Sequence, residues 1–187
     1  EPGVVLQTDI VAETGRALRD FELLWLEEPT IPDDVAGHVR IVRDGGLPIA
    51  TGENFRTLWE FKQMIASGGV TFPEPDVTNC GGITPFLKIA HLADTYGAEI
   101  SPHMYYGPVA HVASLHSMAA VRNFLMQEWD AGMEPVFMPL TRGTFPKVER
   151  SHAALSSRPG LGIEMDWAEW QKRHPYTSQS LRPPGGR

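Results

Sequence analysis

The stretch Trp25-Leu26-Glu27-Glu28-Pro29-Thr30 puts two adjacent carboxylates between an apolar run and a proline. The run Leu23-Leu24-Trp25-Leu26 reads as a buried strand. Pro29, with fixed φ and no N–H to donate, ends it. The same order recurs four times along the chain: Leu47-Pro48-Ile49-Ala50 precedes Glu53, Val70-Thr71-Phe72 precedes Asp76, Glu99-Ile100-Ser101 precedes His103, and Phe124-Leu125-Met126 precedes Glu128. The intervals are 26 residues from Glu27 to Glu53, then 23 to Asp76, 27 to His103 and 25 to Glu128. Each is about the length of one strand–helix unit.

Helix-period segments lie between the runs. Leu58, Phe61 and Ile65 mark one stripe, and Phe86, Ile89, Ala93 and Tyr96 another. For the second, Thr84 is expected to cap, Pro85 to take the first helical position and Gly97 to form the exit. Val109, Val112, Leu115 and Ala119 mark a third helix, and Val11 to Asp20 a weaker one. Alternating strands and helices without a Gly-rich phosphate loop favour a barrel over a dinucleotide-binding sheet. A full eightfold barrel takes about 250 residues. The expected fold is therefore α/β, the C-terminal portion of a (β/α)8-type barrel of about five βα units. Residues 1–130 form this partial barrel domain. Beyond Asp130 the pattern is broken by prolines and glycines, so 131–170 is expected to be an irregular segment packing back on the barrel or a cap. Residues 171–187, ending in Leu-Arg-Pro-Pro-Gly-Gly-Arg, read as a flexible tail.

The formal charge of −7 argues against nucleic acid or an anionic membrane as partner. The single cysteine, Cys80, excludes an internal disulfide and suits a reducing compartment, so a cytoplasmic location is expected. No segment is long and apolar enough to span a bilayer, and no signal pattern opens the chain. It starts Glu1-Pro2-Gly3 without an initiator methionine, as expected of a processed or truncated product.

In a barrel the strand C-termini form a ring, so one polar group per unit, in phase, converges on a single mouth. Singly, each has a plainer reading. Glu27, Glu53 or Asp76 could cap a helix, and His103 in Ser101-Pro102-His103 could be a hydrogen-bonded loop residue. The regular spacing of all five favours a shared site. Carboxylates facing one point suit a hard divalent cation such as Mg²⁺, and without it their repulsion raises a pKa. His103 with Asp76 on the neighbouring strand suits an acid/base dyad, the carboxylate fixing the imidazole tautomer. Cys80 and the helix residues His91, His111 and His116 read as structural or solvent-facing.

At these residues the sequence resembles the enolase superfamily, and within it the mandelate racemase/muconate lactonizing enzyme family, mandelate racemase subgroup. The matching motifs are WLEEPT (25–30), TGEN (51–54), PDVTNCGGIT (75–84), SPHMYYGP (101–108), NFLMQEWD (123–130) and RPGLGIEMD (158–166). The resemblance implies that Glu27 and Glu53 are two of three Mg²⁺ ligands and that His103 and Asp76 are the catalytic dyad. It implies that Glu128 hydrogen-bonds an enediolate oxygen, with Met126 or Gln127 as alternative occupants of that place. The family's first ligand is an Asp one strand earlier. Counting back 26 residues from Glu27 reaches Glu1, whose neighbours Pro2-Gly3 do not continue the family pattern. The family's second-strand lysines and its capping domain would precede residue 1. Asn79 stands where many relatives carry Lys or Arg.

The implied function is a Mg²⁺-dependent acid-sugar dehydratase. It would abstract the proton α to the carboxylate of an aldonate or aldarate and then expel the β-hydroxyl, and the full-length form would be a homo-oligomer. Racemase, epimerase or lactone cycloisomerase chemistry shares the first half-reaction. From another class, the chain could be an inactive fragment or a structural partner completing a barrel in trans. A metal-dependent hydrolase is disfavoured by the absence of His-x-His pairs.

Overall fold

The computed structural model describes residues 8–173. Glu1 and the stretch 174–187, most of the expected tail, lie outside the described residues. Helix α1 (Thr8–Leu18) and a short 3-10 turn lead to β1 (Leu26–Glu27), α2 (Val35–Gly45), β2 (Ile49–Thr51), α3 (Leu58–Ser67), β3 (Phe72–Pro73), α4 (Ile83–Thr95), α5 (Pro108–Ala119) and α6 (Glu134–Leu140). A hairpin of β4 (Val148–Glu149) and β5 (His152–Ala153), then α7 (Trp167–Arg173), complete the described chain.

Strands β1, β2 and β3 pair in parallel, in sequence order. The Ser101 amide donates to the Pro73 carbonyl at 3.0 Å, and Ile100 bridges Phe124 in parallel. Five parallel extended segments thus follow one another, each succeeded by a helix. This is the arrangement of a (β/α) barrel portion, as the spacing predicts. Buried Phe61, Met64, Phe86, Ile89, Ile100 and Met104 form the main core. Val11, Ile41 and Ile49 form a second cluster, joining α1 and α2 to β2.

Two local expectations are corrected. Leu23 and Leu24 are not in a strand, and Leu24 is 50% exposed. The ladder starts where the Leu26 amide donates to the Pro48 carbonyl at 2.8 Å. One step earlier the partner donor would be Pro48, which has no N–H. Thr84 does not cap α4. The helix opens at Gly82, whose φ of 106° suits glycine, and Pro85 occupies the third helical position. A proline is tolerated there because first-turn amides have no intrahelical acceptor. Gly97 does form the exit, at φ 73°. Helix α3 has a full capping box, with the Thr57 amide donating to Glu60 Oε2 at 2.7 Å and the Glu60 amide to Thr57 Oγ1 at 3.4 Å.

The segment after Asp130 packs against α5. Phe137, Leu140 and Phe145 form a buried cluster with Val112, bordered by Trp129, Leu161, Ile163 and Trp170. His111, 2% exposed, lies among these rings, edge-on to Trp129 at 4.8 Å, Phe145 at 5.7 Å and Phe137 at 5.9 Å between centroids. Neither of its ring nitrogens makes a well-formed hydrogen bond, although the Tyr106 main chain lies near enough to favour the charged form slightly. Burial dominates and pushes its pKa down to about 4.

Unfolded, His111 takes up a proton near pH 6.5, but folded only near pH 4, so acidification through that window favours unfolding. Measured against a variant without this imidazole, the wild type should therefore lose about 2 kcal/mol of stability between pH 7 and pH 5 in denaturant titration. His111→Phe is that variant, and a pH dependence identical to the wild type's would disprove the assignment.

Candidate active site

The mouth is the edge of the sheet where the five parallel segments end. β2 ends at Thr51, and Gly52 follows at φ 132°. A Cβ at Gly52 would lie 2.7 Å from the Phe61 ring and 3.2 Å from the Glu74 amide. Only glycine lets the strand end pass so close to α3 and β3 and still turn Glu53 toward its neighbours.

Asp76 follows β3 and is fully buried. Its Oδ1 accepts from the amides of Thr78 at 2.7 Å and Asn79 at 3.0 Å and from the Thr78 hydroxyl. Its Oδ2 lies 2.9 Å from His103 Nδ1. Burial pushes the Asp76 carboxyl up, but the bonds from His103, Thr78 and Asn79 outweigh it and hold the pKa below the usual value. An ionised Asp76 accepts the Nδ1 proton, which leaves Nε2 as the nitrogen free for chemistry. Nε2 is 3.4 Å from Glu53 Oε2 and 4.0 Å from Glu128 Oε2. The Asp76 hydrogen bond raises the His103 pKa first of all; desolvation opposes, and the charges of Glu53, Glu128 and Asp76 add to the rise.

Glu128 Oε2 accepts from the Met104 amide at 2.6 Å, which fixes it beside the loop that carries His103. Gln127 is engaged elsewhere, accepting from the Ser114 hydroxyl at 2.7 Å, and Met126 is exposed. Of the three alternatives, Glu128 is the one near His103. Glu53 is raised by burial first, and the Glu28, Glu27 and Glu128 charges add to this against the opposing pull of His103.

Glu27 and Glu28, adjacent in sequence, turn to different partners. Glu27 is exposed at the rim, its Oε2 accepting from the Trp25 indole at 2.9 Å. Glu28 has a φ of 40° and turns to the end of β2. There its carboxylate accepts from the Thr51 hydroxyl, the Gly52 amide at 3.0 Å and Asn54 Nδ2 at 3.4 Å.

Glu74 was not legible as a site residue. In Phe72-Pro73-Glu74-Pro75 two prolines make it look like loop punctuation, yet it is 4% exposed and its Oε2 has no hydrogen-bond partner. Burial pushes its pKa up to about 9, and the charged groups adding to this are Glu27, Glu28, Glu53 and Glu128. Four carboxylates acting on a fifth form a hard, oxygen-rich, negative donor set, whose chemistry fits Mg²⁺. Glu27 and Glu53 would supply part of its shell. Among the described residues no three Asp, Glu, His or Cys side chains are gathered closely enough to hold an ion alone. The position counted for the remaining ligand, Glu1, is outside those residues.

No helix among the described residues is long and apolar enough to cross a membrane. Residues 6–170 match the model of the enolase C-terminal domain-like family. The chain is 37% identical over 163 residues to the 3,6-anhydro-alpha-L-galactonate cycloisomerase of Streptomyces coelicolor, covering 85% of this chain and 42% of that protein. It is 33% identical over 157 residues to the D-galactonate dehydratase of Xanthomonas oryzae pv. oryzae, covering 81% and 41%. It superposes on the structure of a racemase from Streptomyces coelicolor with bound magnesium at a TM-score of 0.79 and 34% identity, covering 89% and 43%. The chain thus spans about two fifths of the length of the curated relatives it matches. By its family model, its relatives and its parallel βα architecture, it belongs to the enolase C-terminal domain-like family, among the mandelate racemase/muconate lactonizing enzymes of the enolase superfamily.

Proposed function

We propose that the full-length protein is a Mg²⁺-dependent acid-sugar dehydratase, acting on a small aldonate or aldarate. The observation that supports this most is the posture of His103. A buried carboxylate holds its Nδ1 at 2.9 Å while its Nε2 faces Glu53 and Glu128 across the mouth. Glu27 and Glu53 are the proposed cation ligands. When bound, the cation supplies positive charge beside the substrate carboxylate, which acidifies the α-carbon.

Neutral His103, its Nδ1 proton held by Asp76, takes the α-proton on Nε2. Asp76 stays ionised and stabilises the imidazolium so formed, in keeping with the raised His103 pKa. Glu128, held through Oε2 by the Met104 amide, is proposed to donate the proton of its carboxylic acid form in a hydrogen bond to the enediolate oxygen as negative charge develops there. The C–O bond to the β-hydroxyl then breaks, and that group leaves as water with the proton from Nε2. The resulting enol tautomerises to a 2-keto-3-deoxy acid. One imidazole thus serves as base and then as acid on the same face of the substrate.

The cycloisomerase relative favours a second reading. A 3,6-ether places its oxygen on the carbon β to the carboxylate. The same proton abstraction then expels a tethered alkoxide instead of hydroxide. The product keeps the mass of the substrate.

A panel of aldonates, aldarates and their 3,6-anhydro forms, offered with Mg²⁺, should yield 2-keto product from one of them. Product mass separates the two readings. His103→Ala should lower turnover by about a hundred- to ten-thousandfold, and full turnover in that variant would sink both. Glu53→Ala should lose Mg²⁺ dependence together with activity.

The buried Glu74 carboxyl adds a pH signature. Unfolded, it releases its proton near pH 4.5, but folded only near pH 9, so stability falls as pH rises through that window. In chelator, the loss should approach about 1.4 kcal/mol per pH unit in mid-range. Glu74→Gln should remove this contribution, as read by denaturant titration at pH 6, 7 and 8.

A further inference from the structure

The geometry points to Asn79 and Tyr106 as positioning residues, which together hold the Glu53 strand end against the Asp76–His103 pair. This rests on the reading of Glu53 as a cation ligand and His103 as the acid/base. The Asn79 side chain lies between successive strand ends. Its Nδ2 donates to the Glu53 carbonyl oxygen at 2.8 Å, and its Oδ1 accepts from the Tyr106 hydroxyl at 3.2 Å. Its main-chain amide donates to Asp76 Oδ1 at 3.0 Å. Asp76 in turn holds His103 at 2.9 Å, and His103 Nε2 returns to the Glu53 carboxylate at 3.4 Å. The contacts close a circuit running from the Glu53 main chain through Asn79, Asp76 and His103 to the Glu53 side chain.

Each link in the circuit has a direction. The Glu53 carbonyl can only accept, so it takes the amide NH₂ of Asn79, and the amide oxygen is left facing a hydroxyl. Tyr106 is 43% exposed, so packing alone does not place it. Its hydroxyl is tied to Asn79, and its ring stands edge-on to His103 at 6.4 Å and 82°. One tyrosine therefore fixes the orientation of the amide and borders the imidazole. An amide at this point holds the backbone without adding positive charge, which leaves the negative potential of the mouth to the cation. Distance between cation ligand and acid/base is the quantity the circuit sets, and misplacement by about 1 Å in such an array costs about a hundredfold in rate.

The test uses the full-length protein, with Mg²⁺ binding followed by calorimetry and His103 ring-nitrogen shifts followed by NMR. Asn79→Leu keeps the branched side-chain shape and removes both amide bonds. It should weaken Mg²⁺ binding about tenfold, in the range of lost outer-shell support, and displace the His103 shifts with little change in melting temperature. Tyr106→Phe should act in the same direction, about threefold. The double variant should be no weaker than Asn79→Leu alone, because the tyrosine acts through the asparagine. Unchanged Mg²⁺ affinity in folded Asn79→Leu overturns the inference, as does simple additivity of the two variants. If the parent protein itself fails to bind Mg²⁺, the reading of the site fails. The His103 shifts then decide the circuit: displaced in both single variants they uphold it, and unmoved they overturn it.

Discussion

Everything at the mouth depends on a 2.9 Å contact between a buried carboxylate and an imidazole on adjacent strand ends. Asp76 is buried at a cost, and three further donors keep it ionised there. Ionised, it commits the Nδ1 proton of His103 and leaves Nε2 to the mouth. Replace that carboxylate with a neutral group and the tautomer is no longer specified. The parallel ladder supplies the placement. Because the third and fourth extended segments are joined by the Ser101 amide and the Pro73 carbonyl, residues 76 and 103 emerge side by side.

The same edge gathers negative charge. Glu27, Glu28 and Glu128 act on the half-buried Glu53, and those three with Glu53 act on the buried Glu74. A protein does not ordinarily collect carboxylates this way for stability, since burial and mutual repulsion both favour the neutral form. Such an arrangement is sensible where a cation or a developing positive charge is to be met. Glu28 shows how the remainder is managed: one carboxylate is spent on three donors at the end of β2, which ties the strand end that carries Glu53.

Much of this was legible in the sequence, for a physical reason. A parallel βα repeat forces polar residues at unit spacing to one edge, so the phase of Glu53, Asp76, His103 and Glu128 carried both the fold and the grouping. Details set by a single neighbour were not legible. The apolar run at Leu23 looked like strand, but the ladder stops because Pro48, in another strand, has no hydrogen to give. Thr84 looked like a cap, yet the left-handed Gly82 opens the helix earlier. Glu74 was hidden because prolines on both sides suggest a loop, whereas its amide is bonded to the Thr51 carbonyl at the end of β2 and its side chain is buried.

His111 and Glu74 set opposite limits on one fold. The imidazole is buried neutral among aromatic rings and resists protonation; the carboxyl is buried neutral among carboxylates and resists ionisation. Acid works against the first and alkali against the second, so the chain alone is most stable between them. The two limits differ in kind. The histidine lies in the packing between α5 and the C-terminal segment, where the cost of charging it is fixed by apolar surroundings. The carboxyl lies in the mouth, where its cost depends on the charges around it and falls when positive charge enters. The alkaline limit is therefore the one that a bound cation can relieve, which couples the stability of the barrel edge to occupancy of the proposed site.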